Sequence, residues 1–244
     1  MDSTKTVGRQ DLIGGDVFHV LNRGVDQRDI FLDDKDHFRF IHNLFEFNNT
    51  EPVLNLGYFL KRGQSIDLRN QYIYKTTKPR QPRKLIVEIL AFCLMPNHFH
   101  LLLRQIQDGG ITMFMRKLGI GYANYFNTKY ERKGTLFQSR YKAIPVLHDT
   151  HFIHLPYYIH FNPLDLIMQN WKEGNITDCE KAIKFLESYR WSSHLDYIGI
   201  KNFPSVTQRE FLLDIFGSVK DYKKTIEKWM KELDVAYIRE LTLE

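Results

Sequence analysis

The sequence predicts an α+β fold in which helices sandwich an antiparallel sheet. Two apolar segments, residues 85–94 and 98–104, are separated only by the turn Met95-Pro96-Asn97, and this arrangement predicts a β-hairpin. Segments with apolar residues at helical spacing precede and follow the hairpin, at residues 33–45 and 111–130. A hairpin flanked by two amphipathic helices is therefore the centre of the predicted fold.

Three further elements complete the pattern. Residues 16–21 read as a first strand, before the first helix. Residues 143–147 form a short strand that contains Pro145, and proline is tolerated mainly in edge strands. A last helix begins near Asp149 and stops near Asn162. The order strand, helix, hairpin, helix, strand, helix predicts a ferredoxin-like sandwich.

The sequence pattern changes after residue 170, and we therefore divide the chain there. Residues 1–170 are predicted to form the main domain, with residues 48–84 as an irregular excursion from it. Residues 171–244 are predicted to form a C-terminal helical appendage, with helices over residues 180–189 and 208–233.

Composition and charge limit the possible functions. The chain has 244 residues, of which 43% are hydrophobic, and no stretch approaches the ~20 apolar residues of a membrane span. The opening residues lead into polar sequence rather than an apolar signal core, so we expect a cytoplasmic protein. Its two cysteines are too few for a disulfide scaffold. The net charge of +5 favours a polyanionic partner. Residues 75–84 contain five cations and no acid, a run that is equally typical of a solvated loop.

Two histidines lie two positions apart in the second strand of the hairpin. Side chains alternate between the two faces of a strand, so His98 and His100 point to one face while Phe99 and Leu101 point to the other. Two imidazoles on one face can form half of a metal site. They are also compatible with ordinary polar positions on a half-exposed strand.

A tyrosine and an amide lie four positions apart in the last helix of the main domain. Tyr158 and Asn162 therefore emerge on the same face of that helix. A phenol and an amide oxygen could reach one small volume there. The alternatives are a tyrosine buried in an aromatic core and an asparagine that ends a helix before Pro163.

Taken together, these motifs resemble the single-tyrosine HUH transposases, and within them the REP-associated tyrosine transposases. The resemblance covers most of the chain and is carried by the following segments: Phe18-His19-Val20-Leu21-Asn22-Arg23-Gly24, Leu94-Met95-Pro96-Asn97-His98-Phe99-His100-Leu101-Leu102-Leu103, Tyr125-Phe126-Asn127, Gly134-Thr135-Leu136-Phe137-Gln138-Ser139-Arg140-Tyr141-Lys142, Tyr158-Ile159-His160-Phe161-Asn162-Pro163 and Trp191-Ser192-Ser193. The chain departs from the family pattern between residues 48 and 84, where it is longer.

The resemblance implies a HUH fold and a role for each motif residue. His98 and His100 are the expected metal ligands, Asn162 is the expected third ligand, and Tyr158 is the expected nucleophile. The ion is expected to be Mg²⁺ or Mn²⁺, since two imidazoles and an amide leave coordination positions open, unlike a closed structural zinc site. Tyr158 would cut and rejoin single-stranded, hairpin-containing DNA through a covalent 5′-phosphotyrosine.

Basic residues close to these motifs are the expected DNA contacts. The candidates are Arg23, Arg132, Lys133, Arg140 and Lys142, with Arg140 and Lys142 favoured. The candidates for base stacking are Tyr125, Tyr130, Phe137 and Tyr141, although Tyr125 and Phe137 fit a core position equally well. The C-terminal appendage is also expected to contact DNA, and the protein to act as a monomer or a homodimer.

Two other functions stay open at this point. The chain could bind DNA hairpins without cutting them, as a domesticated relative of a transposase would. It could also be a metal-dependent hydrolase that uses His98 and His100 without a tyrosyl intermediate.

Overall fold

A computed structural model describes residues 17–51, 82–174 and 176–231. The strands are β1 (Val17–Arg23), β2 (Val87–Met95), β3 (His98–Gln105) and β4 (Lys142–Pro145). The helices are α1 (Asp34–Glu46), α2 (Gly110–Lys129), α3 (Asp149–Phe161), α4 (Cys179–Ser188), α5 (His194–Tyr197), α6 (Glu210–Phe216) and α7 (Val219–Lys231). Short 3-10 turns cover Val25–Gln27, Asn162–Leu166 and Trp171–Glu173.

The four strands form one antiparallel sheet in the order β2-β3-β1-β4. Both this strand order in the sheet and the order of strands and helices along the chain are typical of a ferredoxin-like fold. The predicted fold class is therefore confirmed. The short strand with Pro145 lies at an edge, as its proline predicted. β1 runs to Arg23, beyond the predicted end at Leu21, because it pairs with β3 as far as Arg23 opposite His98.

Helices cover both faces of the sheet. On one face, α1 and α2 pack on Phe99 and Leu101 of β3 and on Val20 of β1. On the other face, α3 packs on Cys93 and Leu102. Each face therefore has its own hydrophobic core, and the buried strands β2 and β3 separate the two.

The α1–α2 layer is fixed by a buried carboxylate. Asp36 is fully buried, and its oxygens accept hydrogen bonds from the Tyr125 hydroxyl at 3.0 Å, the Tyr130 hydroxyl at 2.7 Å and Lys129 Nζ at 2.6 Å. The hydroxyls of Tyr125 and Tyr130 therefore join α2 to α1, on the face of the sheet away from the histidine pair. Both tyrosines are partly buried against this core, and their use for base stacking stays a prediction.

The C-terminal helices extend the core beneath α3. Leu186 of α4, Tyr197 of α5, and Tyr222 and Ile226 of α7 are buried together with the α3 residues. The single helix predicted over residues 208–233 is two helices, because Gly217 ends α6 with a φ of 81° that a residue with a side chain rarely adopts.

The Trp191-Ser192-Ser193 segment pairs with the outer edge of β2. Leu94 N donates to Trp191 O at 2.9 Å, and Ser193 N donates to Phe92 O at 3.0 Å. The C-terminal segment therefore covers one edge of the sheet as well as one face.

Two expectations from the sequence bear on the remaining parts of the chain. Residues 52–81, which include most of the predicted excursion and of the basic run 75–84, lie outside the described residues. At the end of that run, Arg83 lies over the Phe45 ring and donates to Phe45 O. Within the part of the chain that the structure describes, no helix has the length and apolar character needed to cross a membrane.

Candidate active site

The histidine pair lies on the face of the sheet that α3 covers. His98 and His100 belong to β3, and their rings lie 5.0 Å apart, centroid to centroid. Both residues are buried, His100 completely. The intervening Phe99 packs into the opposite core, so the alternation predicted from the sequence is present.

Asn97 determines which nitrogen of His98 can bind a ligand. Its Oδ1 lies 2.6 Å from His98 Nδ1, and a carbonyl oxygen can only accept a hydrogen bond. His98 Nδ1 must therefore carry the proton, which makes Nε2 the nitrogen with the lone pair. Asn97 is itself oriented by a hydrogen bond from its Nδ2 to Gln27 O. The sequence identified Asn97 only as a turn residue.

His19 of β1 has the same relation to His100. His19 Nε2 lies 2.9 Å from His100 Nδ1, and the two rings are stacked with centroids 5.1 Å apart. If His100 donates from Nδ1, its Nε2 lone pair is available to a cation, and His19 acts as the acceptor. Second-sphere partners of this kind fix the orientation and tautomer of a histidine ligand. His19 was part of a recognised motif, but sequence reasoning gave it no role.

Tyr158 joins this group from α3. Its ring meets His100 edge to face at 6.0 Å and His19 at 6.2 Å, centroid to centroid. The neighbouring Tyr157 points elsewhere, into an aromatic cluster with Tyr222, and burial raises its pKa to about 12. The structure therefore separates two adjacent tyrosines and brings only Tyr158 to the histidines.

Asn162 follows Tyr158 by one helical turn and is fully buried. Its Nδ2 donates to Tyr158 O at 2.9 Å. Among the described residues, nothing donates a hydrogen bond to its Oδ1. A buried amide oxygen without a partner costs roughly 1–3 kcal/mol, and a bound cation or water would remove that cost.

A cation also lies close to Tyr158. Lys172 Nζ is 5.7 Å from the centre of the Tyr158 ring and 2.9 Å from Asp165 Oδ2. The other oxygen of Asp165 accepts from Trp171 Nε1 at 2.6 Å, and the Trp171 ring packs 6.0 Å from the Tyr158 ring. These residues lie beyond the motif segments, in an irregular stretch without a periodic pattern, so sequence reasoning missed Lys172.

The donor set suits a catalytic divalent ion. His98 and His100 offer imidazole nitrogens, and Asn162 offers a buried amide oxygen without a hydrogen bond from the described residues. Within residues 17–51, 82–174 and 176–231, no three histidine, cysteine or acidic side chains are arranged to hold a metal ion. An ion at this histidine pair would therefore need Asn162, water or substrate oxygens to complete its coordination, as catalytic sites require.

Two of the predicted DNA contacts lie beside the histidines. Arg23 of β1 is paired directly with His98 of β3. Leu21 of β1 is paired with His100 on one side and with Lys142 of β4 on the other. Both cations therefore lie on the histidine face of the sheet. They line a shallow cleft together with Leu21, Asn22, Gln138 and Ser139.

The other predicted DNA contacts lie further along the loop between α2 and β4. Arg140 is exposed and follows the cleft residue Ser139. Arg132 donates to Asn127 Oδ1 at 3.0 Å, at the end of α2, and Lys133 is exposed beside it. The loop returns to β1, where Phe137 pairs with Gly24. All three therefore remain predictions.

The chain is similar to one protein family model and to one solved structure. The family model described as Transposase IS200 like matches residues 70–162, the stretch that contains the histidine pair, Tyr158 and Asn162. A solved structure of a REP-associated tyrosine transposase bound to a REP hairpin is similar, with 14% sequence identity and a TM-score of 0.43. The similarity covers 83% of this chain and 90% of that chain. The comparison with curated proteins gave no match.

The hydrogen bond between His19 and His100 leads to a first prediction. We expect His19→Ala to weaken Mn²⁺ binding about 10- to 100-fold, because His100 loses the partner that fixes its ring and tautomer. Isothermal titration calorimetry with Mn²⁺ measures this. His148→Ala is the control, since His148 is exposed at the start of α3. Equal Mn²⁺ affinities in wild type and His19→Ala would contradict the assigned role of His19.

The buried Oδ1 of Asn162 leads to a second prediction. We expect Asn162→Ala to weaken Mn²⁺ binding by about tenfold or more, because one of the three expected protein ligands is lost. Thermal unfolding with and without Mn²⁺ provides an independent measurement, since a bound ion stabilises the folded state. If Asn162→Ala keeps the full Mn²⁺-dependent rise in melting temperature, Asn162 is not a ligand.

Proposed function

We propose that this chain is an IS200-like transposase that cleaves and rejoins single-stranded DNA through a covalent intermediate on Tyr158, since residues 70–162 match the model of that family. The observation that carries the proposal is the meeting of Tyr158 with His100 and His19 on one buried face. Three distant segments of the chain contribute these residues, which supports a catalytic site more than a local structural role.

The reaction is a transesterification at phosphorus. The Tyr158 oxygen forms a bond to a DNA phosphate as the phenol loses its proton. The bond from phosphorus to the 3′-oxygen of the preceding nucleotide breaks, and that oxygen leaves as a 3′-hydroxyl after taking up a proton. The 5′-phosphate stays on Tyr158. A DNA 3′-hydroxyl then reverses these changes on a new strand, so rejoining needs no external energy source.

A divalent ion fits the residues at this site. His98 and His100 would hold Mg²⁺ or Mn²⁺ through Nε2, and Asn162 through Oδ1. When bound, the ion polarises the scissile phosphate and stabilises the charge that develops on its oxygens. Forming tyrosinate at pH 7 from a phenol with a pKa near 10 costs about 4 kcal/mol. Lys172, which is paired with Asp165, lies 5.7 Å from the centre of the Tyr158 ring.

The proposed substrate is a flexible single strand next to a hairpin. Both Tyr158 and the histidines are buried, and a single strand can bend to present one phosphate between them more easily than a duplex can. Arg23 and Lys142 would bind neighbouring phosphates. Motifs outside the histidine and tyrosine segments support hairpin recognition and assignment to the REP-associated branch. These motifs lie in residues 18–24, 134–142 and 191–193.

A covalent adduct is the direct test of the nucleophile. The full chain is incubated with Mg²⁺ or Mn²⁺ and a labelled single-stranded oligonucleotide copied from an inverted repeat that flanks the coding sequence. Denaturing electrophoresis then detects protein attached to DNA. We expect Tyr158→Phe to lower adduct formation by at least about 10³-fold, since no other hydroxyl replaces the lost nucleophile. Tyr157→Phe is the matched control and retains the adduct.

The same experiment separates the other two functions. Salt-dependent hairpin binding by the wild type without any metal-stimulated cleavage would favour a domesticated DNA-binding protein. Metal-dependent cleavage that survives Tyr158→Phe would favour a hydrolase. An adduct of undiminished yield in Tyr158→Phe would exclude Tyr158 as the nucleophile.

The cleft beside the histidines leads to a prediction about salt. We expect Arg23→Ala and Lys142→Ala each to reduce the slope of log affinity for single-stranded DNA against log salt by about 0.7, the value for one lost phosphate contact. Fluorescence anisotropy over a range of salt concentrations measures the slope. Lys35→Ala is the control, because Lys35 is exposed on α1, on the opposite face of the sheet. Slopes that fall equally in all three variants would show that the cleft binds no phosphate.

A further inference from the structure

The helix that carries Tyr158 contains a proline in its interior. Pro156 of α3 has no N–H, so the carbonyl of Phe152 loses its usual partner one turn later, and the helix is weakened there. Tyr158 lies only two residues beyond this point. The orientation of the C-terminal half of α3 must therefore be fixed largely by contacts with other elements.

His160 makes two of these contacts while fully buried. Its Nδ1 lies 2.6 Å from the Tyr222 hydroxyl of α7, and its Nε2 lies 2.7 Å from Ser193 Oγ. Ser193 Oγ in turn accepts from Phe92 N of β2 at 2.9 Å. His160 thus connects α3 both to α7 and to the edge of the sheet.

Proton positions at His160 follow from satisfying every group. Burial lowers the pKa of His160 well below its ordinary value, so the ring is neutral and has one N–H. Tyr222 can donate to Nδ1 while Nε2–H donates to Ser193 Oγ, and the Ser193 hydroxyl can then donate to Phe92 O at 3.3 Å. All donors and acceptors are used in this arrangement, which is typical of a group that holds position.

A second histidine connects α7 to the other half of α3. Trp229 Nε1 donates to His154 Nδ1 at 2.9 Å, and the two rings are stacked. Between the two histidines, the Tyr157 ring packs on Tyr222 and Trp229, with centroids 5.1 and 5.6 Å away. His154, Tyr157 and His160 recur every third residue and so lie on one side of α3.

This side of α3 is not the side that holds the nucleophile. Residues two apart in a helix project about 200° apart, so His160 and Tyr158 point in nearly opposite directions. α7 contacts α3 both before Pro156, at His154, and after it, at His160. A rotation of α3 that displaced the Tyr158 hydroxyl would have to break the hydrogen bonds of His160.

We propose that α7 positions the nucleophile helix, with His160 as the positioning residue that joins Tyr222 and Ser193 to the segment carrying Tyr158. The proposal rests on the proposed function of Tyr158. It gives the C-terminal helices a role in the chemistry, separate from any DNA contact. His160 does not touch substrate in this role and transfers no proton.

Two tyrosine-to-phenylalanine variants of the full chain test the proposal. Tyr222→Phe removes the hydroxyl that lies within hydrogen-bond distance of His160. Tyr197→Phe is the control, because it removes an equally buried hydroxyl that donates to Leu90 O at 2.6 Å instead of to a residue of α3. We expect both variants to lower the melting temperature by similar amounts. Only Tyr222→Phe should slow adduct formation, by about tenfold or more, since displacements of about 1 Å cost up to 10²-fold.

The readouts are the single-turnover rate of adduct formation, the affinity for the hairpin oligonucleotide, and hydrogen exchange in a peptide that spans residues 157–162. For Tyr222→Phe we expect a lower rate, an unchanged affinity and faster exchange than in Tyr197→Phe. Trp229→Phe, which loses the donor to His154, should act in the same direction and serves if Tyr222→Phe does not fold.

Two results would overturn the proposal. One is a rate that falls equally in Tyr222→Phe and Tyr197→Phe, or in neither, because the hydroxyl of Tyr222 would then contribute only stability. The other is equal hydrogen exchange of residues 157–162 in the two variants. If wild type forms no adduct, the proposed function of Tyr158 fails, and hydrogen exchange alone still decides whether α7 holds α3.

Discussion

The alternation of side chains along β3 is the constraint on which the rest of the structure depends. β3 lies between β2 and β1, and both of its faces are covered by helices. Phe99 and Leu101 fill the core beneath α1 and α2, while His98 and His100 point to α3. A shift of one residue in the register would bury both imidazoles in an apolar core and remove two large apolar side chains from it, so packing enforces the position of the histidines.

Each histidine of the pair is oriented by a hydrogen-bonded partner, which is the preceding residue for His98 and a residue of another strand for His100. Asn97 fixes the tautomer of His98, and His19 pairs with Nδ1 of His100. With His19 as the acceptor, these two bonds leave the Nε2 lone pairs of both His98 and His100 available to an ion. A buried donor set that is ordered in this way would need little reorganisation to bind an ion.

Local periodicity explains how much could be predicted from the sequence. The two-residue period placed His98 with His100, and the four-residue spacing placed Tyr158 one turn before Asn162, because both patterns need only one element. The partnership of His19 with His100 could not be predicted, since it depends on the register between strands 81 residues apart. The contacts of His160 could not be predicted either, because its partners Ser193 and Tyr222 lie in later segments of the chain. The division of α6 from α7 depends on the conformation of a single glycine, Gly217.

The two edges of the sheet restrict how a polymer can reach the site. The β2 edge is covered, because residues 191–193 pair with it and hold α5 beside it. The β4 edge differs: Lys142, Ala143 and Pro145 are exposed there. The cleft between Arg23 and Lys142 opens on this second side, on the face that carries the histidines. On that face, the two cations lie between the β4 edge and the histidines of β3. The C-terminal segment thus covers one edge of the sheet and packs against α3, which carries Tyr158, with the same set of buried contacts.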